Sequence, residues 1–294
     1  MSALFIPMPG NEAAATRIAA RTGGTVGAVE IHAFPDGEVR PRLLQEVFGH
    51  SVALVCTMDR PNGKFLPLVF TAAAAREQGA RKVGLVAPYL GYMRQDKRFQ
   101  PGEAVTSRTF AALISGAFDW MATVDPHLHR IRAMEEIYSI PALGLHAGPA
   151  LAGWIKANVH LPFLIGPDEE SRQWVADVAR QCAAPFAILG KERLGDQTIR
   201  TKISPLLLPE DATPVLLDDI VSSGGTMLET IRLIRPLSRQ TPIVLAIHGV
   251  FADGAAQAIR QTGARLVTTN SIPGDAAAVA VDELIAAGIA GLMR

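Results

Sequence analysis

The chain has 294 residues, 49% of them hydrophobic, which is enough for one large or two ordinary domains with substantial cores. Its 28 basic and 28 acidic residues cancel to zero formal charge, which excludes a bulk attraction to nucleic acid or to an anionic membrane. No basic leader precedes a long apolar run, and Cys56 and Cys182 lie far apart in apolar settings. We therefore expect a cytoplasmic protein with reduced thiols.

Apolar runs of strand length recur along the chain and alternate with helix-like stretches. This alternation predicts an α/β fold in which largely parallel sheets are flanked by helices. The predicted strands are residues 4–6, 52–57, 82–87, 120–124, 163–165, 186–189, 215–217 and 243–248. The predicted helices are residues 65–78, 107–114, 150–158, 169–181 and 226–234.

A stretch containing glycine and proline, residues 141–149, interrupts the strand signals before the predicted helix 150–158. We therefore expect one domain over residues 1–146 and a second over residues 147–294. In parallel sheets, ligands bind at the carboxyl ends of the strands. Polar residues that follow predicted strands are accordingly the candidate functional residues.

Two polar segments of the N-terminal half suit a nucleotide. Residues 34–38, Phe-Pro-Asp-Gly-Glu, present an aromatic face and two carboxylates that can accept hydrogen bonds from an exocyclic amine. From the residues alone, this segment is equally an exposed turn. Residues 88–98 follow a predicted strand and place three cations around Asp96, which suits either a polyphosphate or a solvated charge cluster.

Further candidates follow later strands. Asp125 and His127 come just after strand 120–124, where the histidine is either a satisfied loop residue or a metal ligand. Asp168 follows strand 163–165 and can equally be a helix N-cap. Lys191 and Arg193 lie two positions apart, just beyond strand 186–189.

The most informative segment is residues 215–227, Val-Leu-Leu-Asp-Asp-Ile-Val-Ser-Ser-Gly-Gly-Thr-Met. It predicts a buried strand ending in Asp218 and Asp219, a turn of small residues, and a helix beginning near Met227. Such a turn can direct consecutive backbone N–H groups at a phosphate, near the positive end of the helix dipole. Carboxylates repel phosphate but accept hydrogen bonds from a sugar diol, so the segment suggests a phosphorylated ribose. An ordinary strand-turn-helix junction is the alternative.

Together these segments resemble the ribose-phosphate pyrophosphokinase family, also called phosphoribosyl diphosphate (PRPP) synthetases. Residues 34–38 are similar to the family's Phe-x-Asp-Gly-Glu element, residues 88–96 to Pro-Tyr-x-Gly-Tyr-x-Arg-Gln-Asp, and residues 124–127 to Val-Asp-x-His. Residues 218–226 resemble the PRPP loop of the type I phosphoribosyltransferase fold, with Ser-Ser-Gly where many synthetases carry Asp-Thr-Ala. The resemblance covers nearly the whole chain and implies two phosphoribosyltransferase-like domains.

The resemblance implies transfer of the β,γ-diphosphoryl group of ATP to the C1 hydroxyl of ribose 5-phosphate, with Mg²⁺ as cofactor. It also implies a homo-oligomer, at least a dimer, with the ATP site shared between subunits. The implied residues are Lys191 and Arg193 for catalysis; Phe34, Asp36, Glu38, Arg94, Gln95 and His127 for ATP; Asp168, Asp218, Asp219, Ser222, Ser223, Gly224, Gly225 and Thr226 for ribose 5-phosphate; and His127 and Asp168 for the metal.

Two other functions share this fold. A non-catalytic regulatory protein would bind nucleotide and hold an oligomer together, and Ser222, which lacks the carboxylate of many synthetases, favours it. Retention of Lys191, Arg193 and His127 argues against it. A base phosphoribosyltransferase would consume PRPP, but it leaves the segments at residues 34–38 and 94–98 without a role.

Overall fold

The structure, a computed structural model, describes residues 3–128, 130–193, 199–202 and 208–294, with the backbone alone at 191–193 and 199–202. The chain divides into two compact units: Met1–His146 together with Val281–Arg294, and Ala147–Ala280. Within the described ranges, every helix is too short or too polar to traverse a lipid bilayer.

The first unit is built on a parallel sheet. Its strands in chain order are β1 (Ala3–Pro7), β2 (Thr25–Val26), β3 (Val29–Ala33), β4 (Val39–Leu43), β5 (Ser51–Val55), β6 (Lys82–Ala87), β7 (Trp120–Val124) and β8 (Ala142–Leu145), with helices α1 (Glu12–Thr22), α2 (Asn62–Glu77) and α3 (Thr106–Ala117). Six strands pair in parallel in the order β2-β1-β5-β6-β7-β8, and β3 and β4 form a separate antiparallel hairpin. Strands β5 and β7 are buried along their whole length, which explains their unbroken apolar sequence.

The second unit has a sheet of the same kind. Helix α4 (Gly148–Asn158) precedes β9 (Pro162–Gly166), α5 (Arg172–Cys182), β10 (Phe186–Ile188), β11 (Gly190–Arg193), β12 (Ile199–Lys202), β13 (Thr213–Val221), α6 (Gly225–Ile234), β14 (Ile243–Gly249), α7 (Ala255–Gln261), β15 (Arg265–Thr269) and β16 (Ala277–Val279). Six strands pair in parallel in the order β10-β9-β13-β14-β15-β16, and β11 and β12 form an antiparallel hairpin. The predicted architecture of two α/β domains with parallel sheets is thereby confirmed.

The two units repeat one topology. In each, an edge strand follows the first strand, an antiparallel hairpin follows the edge strand, and the next four strands extend the sheet on the other side of the first. The sequence shows no repeat of fixed period, so this duplication is visible only in the order in which the strands pair.

The last helix, α8 (Asp282–Ile289), belongs to the first unit. The carboxylate of Asp282, only 3% exposed, accepts a hydrogen bond from Arg17 Nε of α1 at 2.8 Å. The sequence predicts a second domain over residues 147–294, whereas in the structure Val281–Arg294 belong to the first unit. The reason is tertiary packing of α8 against α1, to which local sequence patterns are insensitive.

The segment after residue 212 also differs from the sequence-based expectation. Strand β13 does not end at Leu217 but continues to Val221, because Ile220 and Val221 still pair with His248 and Gly249 of β14. Asp218 and Asp219 therefore lie within the strand, and two further strand residues follow them. Helix α6 begins at Gly225, two residues before the predicted start near Met227.

Candidate active site

The loop between β13 and α6 has the local geometry of a phosphate cradle. Gly224 caps α6 with a left-handed backbone, φ 75°, a conformation that favours glycine. A side chain at this position would also meet Ile259 and Ala255 of α7, at 3.4 Å and 3.6 Å from an added Cβ. The residues from Ser222 to Gly224 thus lead directly into the positive end of a helix dipole, and Gly225 and Thr226 form the start of that helix.

Asp218 and Asp219 are partly buried in β13 beside this loop. Asp218 Oδ1 accepts a hydrogen bond from the Asp219 N–H at 3.0 Å, and Asp219 Oδ1 accepts one from the Ile220 N–H at 2.7 Å. The pKa of the Asp218 carboxyl is raised to about 8, first by burial and then by the negative charges of Asp219 and Asp168. Three carboxylates therefore influence one another at this edge of the sheet.

Asp168 follows β9, the neighbour of β13 in the sheet. Its Oδ1 accepts a hydrogen bond from the Ser171 N–H at 3.2 Å, and its carbonyl accepts one from Ser171 Oγ at 2.6 Å. It is thus the N-cap of a short 3-10 helix, Glu169–Ser171. The N-cap interpretation holds locally, and the electrostatic influence of Asp168 on Asp218 puts the same residue beside the ribose-phosphate candidates.

In the first unit, the segment after β6 is held by two polar contacts. Gln95 Oε1 accepts a hydrogen bond from Thr106 Oγ1, at the start of α3, at 2.9 Å. The carboxylate of Asp96, 3% exposed, pairs with Arg130 Nη1 at 3.0 Å and accepts from the Arg130 N–H at 3.2 Å. Arg94 is exposed beside these fixed neighbours.

The segment after β7 carries Asp125 and His127, both partly buried. Asp125 has a left-handed backbone, φ 32°, and its Oδ1 lies 3.0 Å from Nδ1 of His146, which follows β8. The Asp96–Arg130 pair ties the segments after β6 and β7 together. Candidate residues after β6 and β7, and His146 after β8, therefore share one edge of the first sheet.

The candidate residues Phe34, Asp36 and Glu38 lie at the tip of the β3–β4 hairpin. The Phe34 N–H donates to the Glu38 carbonyl at 2.8 Å, and the Glu38 N–H donates to Asp36 Oδ1 at 3.1 Å. The Arg40 guanidinium lies 5.8 Å from the centroid of the Phe34 ring. The tip is exposed throughout, as a turn would be, and its ring and carboxylates face solvent.

Lys191 and Arg193 lie on β11, where they pair with Thr201 and Ile199 of β12. Their side chains lie outside the part of the chain that the structure describes. The predicted catalytic pair is therefore located on a hairpin, and its contacts stay a prediction.

Three residues that organise the first unit's candidate edge, Asp96, Arg130 and His146, are not among the predicted site residues. In the sequence, Asp96 stands out only as the acid among cations. The lone acid in a basic segment was a usable signal for Asp96, since burial of a carboxylate demands a partner. Nothing local to Arg130 or His146 indicated their roles, because their partners lie 34 and 21 residues away.

No set of three His, Cys, Asp or Glu side chains is arranged to hold a metal ion within the described ranges. Mg²⁺ typically keeps several waters and binds through one or two carboxylates together with substrate phosphates. The carboxylates around Asp218 fit an ion held in this way, because their mutual repulsion favours a nearby cation.

Both halves of the chain match known families. The N-terminal domain of ribose phosphate pyrophosphokinase matches residues 4–117, and the phosphoribosyl transferase domain matches residues 133–288. A ribose-phosphate pyrophosphokinase of Saccharolobus solfataricus is 33% identical over 83% of this chain and 84% of its own length. One from Methanopyrus kandleri is 32% identical over 94% of each chain. The chain belongs to the ribose-phosphate pyrophosphokinase family.

A solved structure supports the same fold. Superposition of this chain on the phosphoribosylpyrophosphate synthetase from Mycobacterium smegmatis covers 99% of both chains, with a TM-score of 0.85 and 22% sequence identity. The family models and the relatives confirm the resemblance drawn from the motifs, and with it the enzyme class of ribose-phosphate diphosphokinase. A base phosphoribosyltransferase does not account for the pyrophosphokinase N-terminal domain over residues 4–117.

Proposed function

We propose that this chain transfers the β,γ-diphosphoryl group of ATP to the C1 hydroxyl of ribose 5-phosphate, giving PRPP and AMP. The observation that carries the proposal is the β13–α6 junction, where a glycine-capped loop at a helix N-terminus adjoins two carboxylates. Family membership across both units supports it.

On the sugar side, the loop of Ser222, Ser223, Gly224, Gly225 and Thr226 binds the 5-phosphate. Asp218 and Asp219 bind the ribose hydroxyls, and Asp168 assists from the neighbouring strand. Burial and the neighbouring carboxylates raise the pKa of Asp218, which favours its protonated form when no cation is bound. The protonated carboxyl can donate one hydrogen bond to a hydroxyl oxygen and accept another, whereas an ionised carboxylate can only accept.

On the nucleotide side, Arg94, Gln95 and His127 contact ATP. The fixed environment of Gln95 and the exposure of Arg94 support this role, because a phosphate-binding guanidinium must be reachable while its neighbours stay ordered. Phe34, Asp36 and Glu38 reach the adenine of ATP bound to a neighbouring subunit of a homo-oligomer. Their exposed hairpin supports such a reach.

Mg²⁺ is the proposed cofactor, and Asp168 and His127 are the groups that the family resemblance implies would help to hold it. When bound, the ion neutralises charge on the phosphate oxygens of ATP. Asp168 supplies the oxygen type of ligand that Mg²⁺ prefers. Lys191 and Arg193 stabilise the charge on the transferring group by aimed electrostatic contacts, and the sugar C1 hydroxyl attacks the β-phosphorus. A cytoplasmic location stays a prediction.

The test is AMP release from ATP and Mg²⁺, with and without ribose 5-phosphate, with phosphorus NMR of the sugar product. Sugar-dependent AMP and a diphosphorylated sugar in equal amounts are the expected result. ATP binding without AMP release contradicts the proposal and favours the regulatory alternative, in which Ser222 replaces a required acid.

A further inference from the structure

The segment that follows β14 holds the phosphate loop from behind. Beyond the last paired residue of β14, the Phe251 N–H donates to the Val221 carbonyl at 3.0 Å, and the Ala252 N–H donates to the Ser222 carbonyl at 3.0 Å. The carbonyls of two consecutive residues, Val221 at the end of β13 and Ser222 in the loop, therefore point toward the same segment. In an extended strand, consecutive carbonyls point to opposite sides.

These two bonds determine the direction of the loop amides. In a planar trans peptide, the C=O of one residue points opposite to the N–H of the next. With the carbonyls of Val221 and Ser222 turned toward residues 251–252, the N–H groups of Ser222 and Ser223 point away from that segment. Phosphate recognition needs such outward-facing donors, and they cost least when they are already oriented before binding.

Phe251 is strained in the position that makes this contact. Its φ of 37° is in the left-handed region, which is unusual for a bulky side chain. Its ring packs onto the core of the second unit and lies against Gly249, where an added Cβ would be 2.5 Å from the ring. Packing of the ring thus holds the strained backbone in place, together with the N–H donors of Phe251 and Ala252.

The strand end behind this segment is itself anchored. The Ile247 carbonyl accepts hydrogen bonds from Thr269 Oγ1 at 2.7 Å and Ser271 Oγ at 3.2 Å, and Ser271 Oγ lies 2.8 Å from His248 Nδ1. His248, Thr269 and Ser271 are each at most 1% exposed. A buried, hydrogen-bonded network of this kind fixes β14 to the segment after β15.

We propose that Phe251 is a positioning residue for phosphate recognition: its packed ring and strained backbone hold the Val221 and Ser222 carbonyls so that the loop amides face the 5-phosphate. This rests on the proposed function of the loop. Phe251 itself does not touch the substrate, so its loss weakens the sugar-phosphate site and leaves the ATP site unaffected.

The test compares Phe251→Val, which is disfavoured at positive φ, with Phe251→Tyr, which keeps the ring. Phe186→Val is the matched control, since Phe186 is a half-exposed phenylalanine on β10 of the same unit with no contact to the loop carbonyls described above. Calorimetry gives the Kd for ribose 5-phosphate, and steady-state kinetics give KM for each substrate.

For Phe251→Val we expect the Kd and KM for ribose 5-phosphate to rise about tenfold to a hundredfold, the cost of misplaced binding groups, with the KM for ATP unchanged. Phe251→Tyr and Phe186→Val should resemble the wild type. Phe251→Gly, which accepts positive φ but has no ring, should fold and still bind ribose 5-phosphate weakly, and it replaces the valine variant if that variant does not fold.

Wild-type affinity in both the Val and Gly variants overturns the inference, as does an equal rise in both KM values or an equal effect of Phe186→Val. A wild-type protein that binds ribose 5-phosphate but releases no AMP contradicts the proposed reaction alone, and the Kd comparison still decides the inference. A wild-type protein that does not bind ribose 5-phosphate overturns the inference.

Discussion

Asp218 is a carboxyl whose protonation differs between the folded and unfolded chain. Its pKa is raised from 3.8 to about 8 by burial and by two neighbouring carboxylates. Between these values the folded state holds a proton that the unfolded state has released. The stability that this proton provides is complete below pH 3.8 and is lost progressively as the pH rises toward about 8.

Asp218→Asn should therefore stabilise the second unit increasingly as the pH rises. The amide mimics the protonated carboxyl, so the variant and the wild type should unfold alike near pH 4, while at pH 8 the variant should be more stable by on the order of 3 kcal/mol. Thermal unfolding in chelator without substrates measures this difference, with Asp211→Asn as an exposed control in the same unit. A stability difference between Asp218→Asn and the wild type that does not change across the pH range would contradict this prediction.

The Asp96–Arg130 pair predicts unequal costs for its two members. Arg130→Ala leaves the 3%-exposed carboxylate with a buried charge, whereas Asp96→Asn leaves a guanidinium that is half exposed. We expect Arg130→Ala to lower the free energy of unfolding by on the order of 3 kcal/mol and Asp96→Asn by about 1 kcal/mol.

Urea unfolding of the two single variants and the double variant measures these costs and their coupling. The KM for ATP should rise in both single variants, because the pair orders the segment that carries Arg94 and Gln95. Glu30→Gln, which breaks an exposed pair with Arg42, is the control. Equal losses of unfolding free energy in Arg130→Ala and Asp96→Asn would contradict this prediction and show that water reaches the pair.

At the scale of elements, the two hairpins occupy the same place in the two units. The β3–β4 hairpin presents Phe34 at its tip, and the β11–β12 hairpin carries Lys191 and Arg193 on its first strand. The third strands in the two sheet orders, β5 and β13, differ in the side chains that they carry. Strand β13 carries two carboxylates and leads into a glycine-capped loop, whereas β5 is apolar and leads into Cys56 and Thr57. One topology therefore carries two different sets of side chains at equivalent positions.

For the β11–β12 hairpin, we expect Lys191→Ala to lower kcat far more than it weakens the binding of either substrate. The reason is that charge aimed at a transition state is worth about 3 kcal/mol per donor, as judged from oxyanion holes, which corresponds to a loss of about two orders of magnitude. Steady-state kinetics with each substrate varied separately measure it. A raised KM with kcat preserved would assign Lys191 to ground-state binding.

Buried elements were predictable from the sequence, and exposed or irregular ones were not. Strands β6 and β7 have their predicted bounds, because a strand buried on both faces has a continuous apolar sequence. The β3–β4 hairpin was missed, since its alternating half-buried and exposed residues make no apolar run. Asp218 and Asp219 were identified, but their place inside β13 depends on pairing with β14, a tertiary interaction.

At the scale of the whole molecule, the proposed sharing of the ATP site between subunits predicts complementation. Phe34→Ala and Asp219→Asn should each be nearly inactive alone, because each variant lacks one half of every site. In a randomly mixed dimer population, half of the molecules are heterodimers with one intact site of two, so about a quarter of the wild-type activity should return.

Mixing Asp168→Asn with Asp219→Asn is the matched control, because both changes lie in the unit that we propose binds the sugar. This mixture should stay inactive. Recovery in the control, or no recovery in the first mixture after subunit exchange, would contradict a site built from two subunits.

Because the last helix, α8, belongs to the first unit, we expect Asp282→Ala to destabilise that unit and not the second. Asp282→Ala removes the buried carboxylate and leaves an Arg17 guanidinium that is 41% exposed, so the first unit should be destabilised by about 1 kcal/mol. Hydrogen exchange should quicken in α1 and α8, with the amides of β13, β14 and β15 unchanged. Uniform acceleration in both units would indicate that they unfold as one.

The path of the chain has a consequence for limited proteolysis. The polypeptide leaves the first unit after His146 and returns to it at Val281, so the second unit is an insertion joined at two points. A single nick between residues 146 and 147 does not release either unit. Release of the second unit requires a second cut, near the Ala280–Val281 bond.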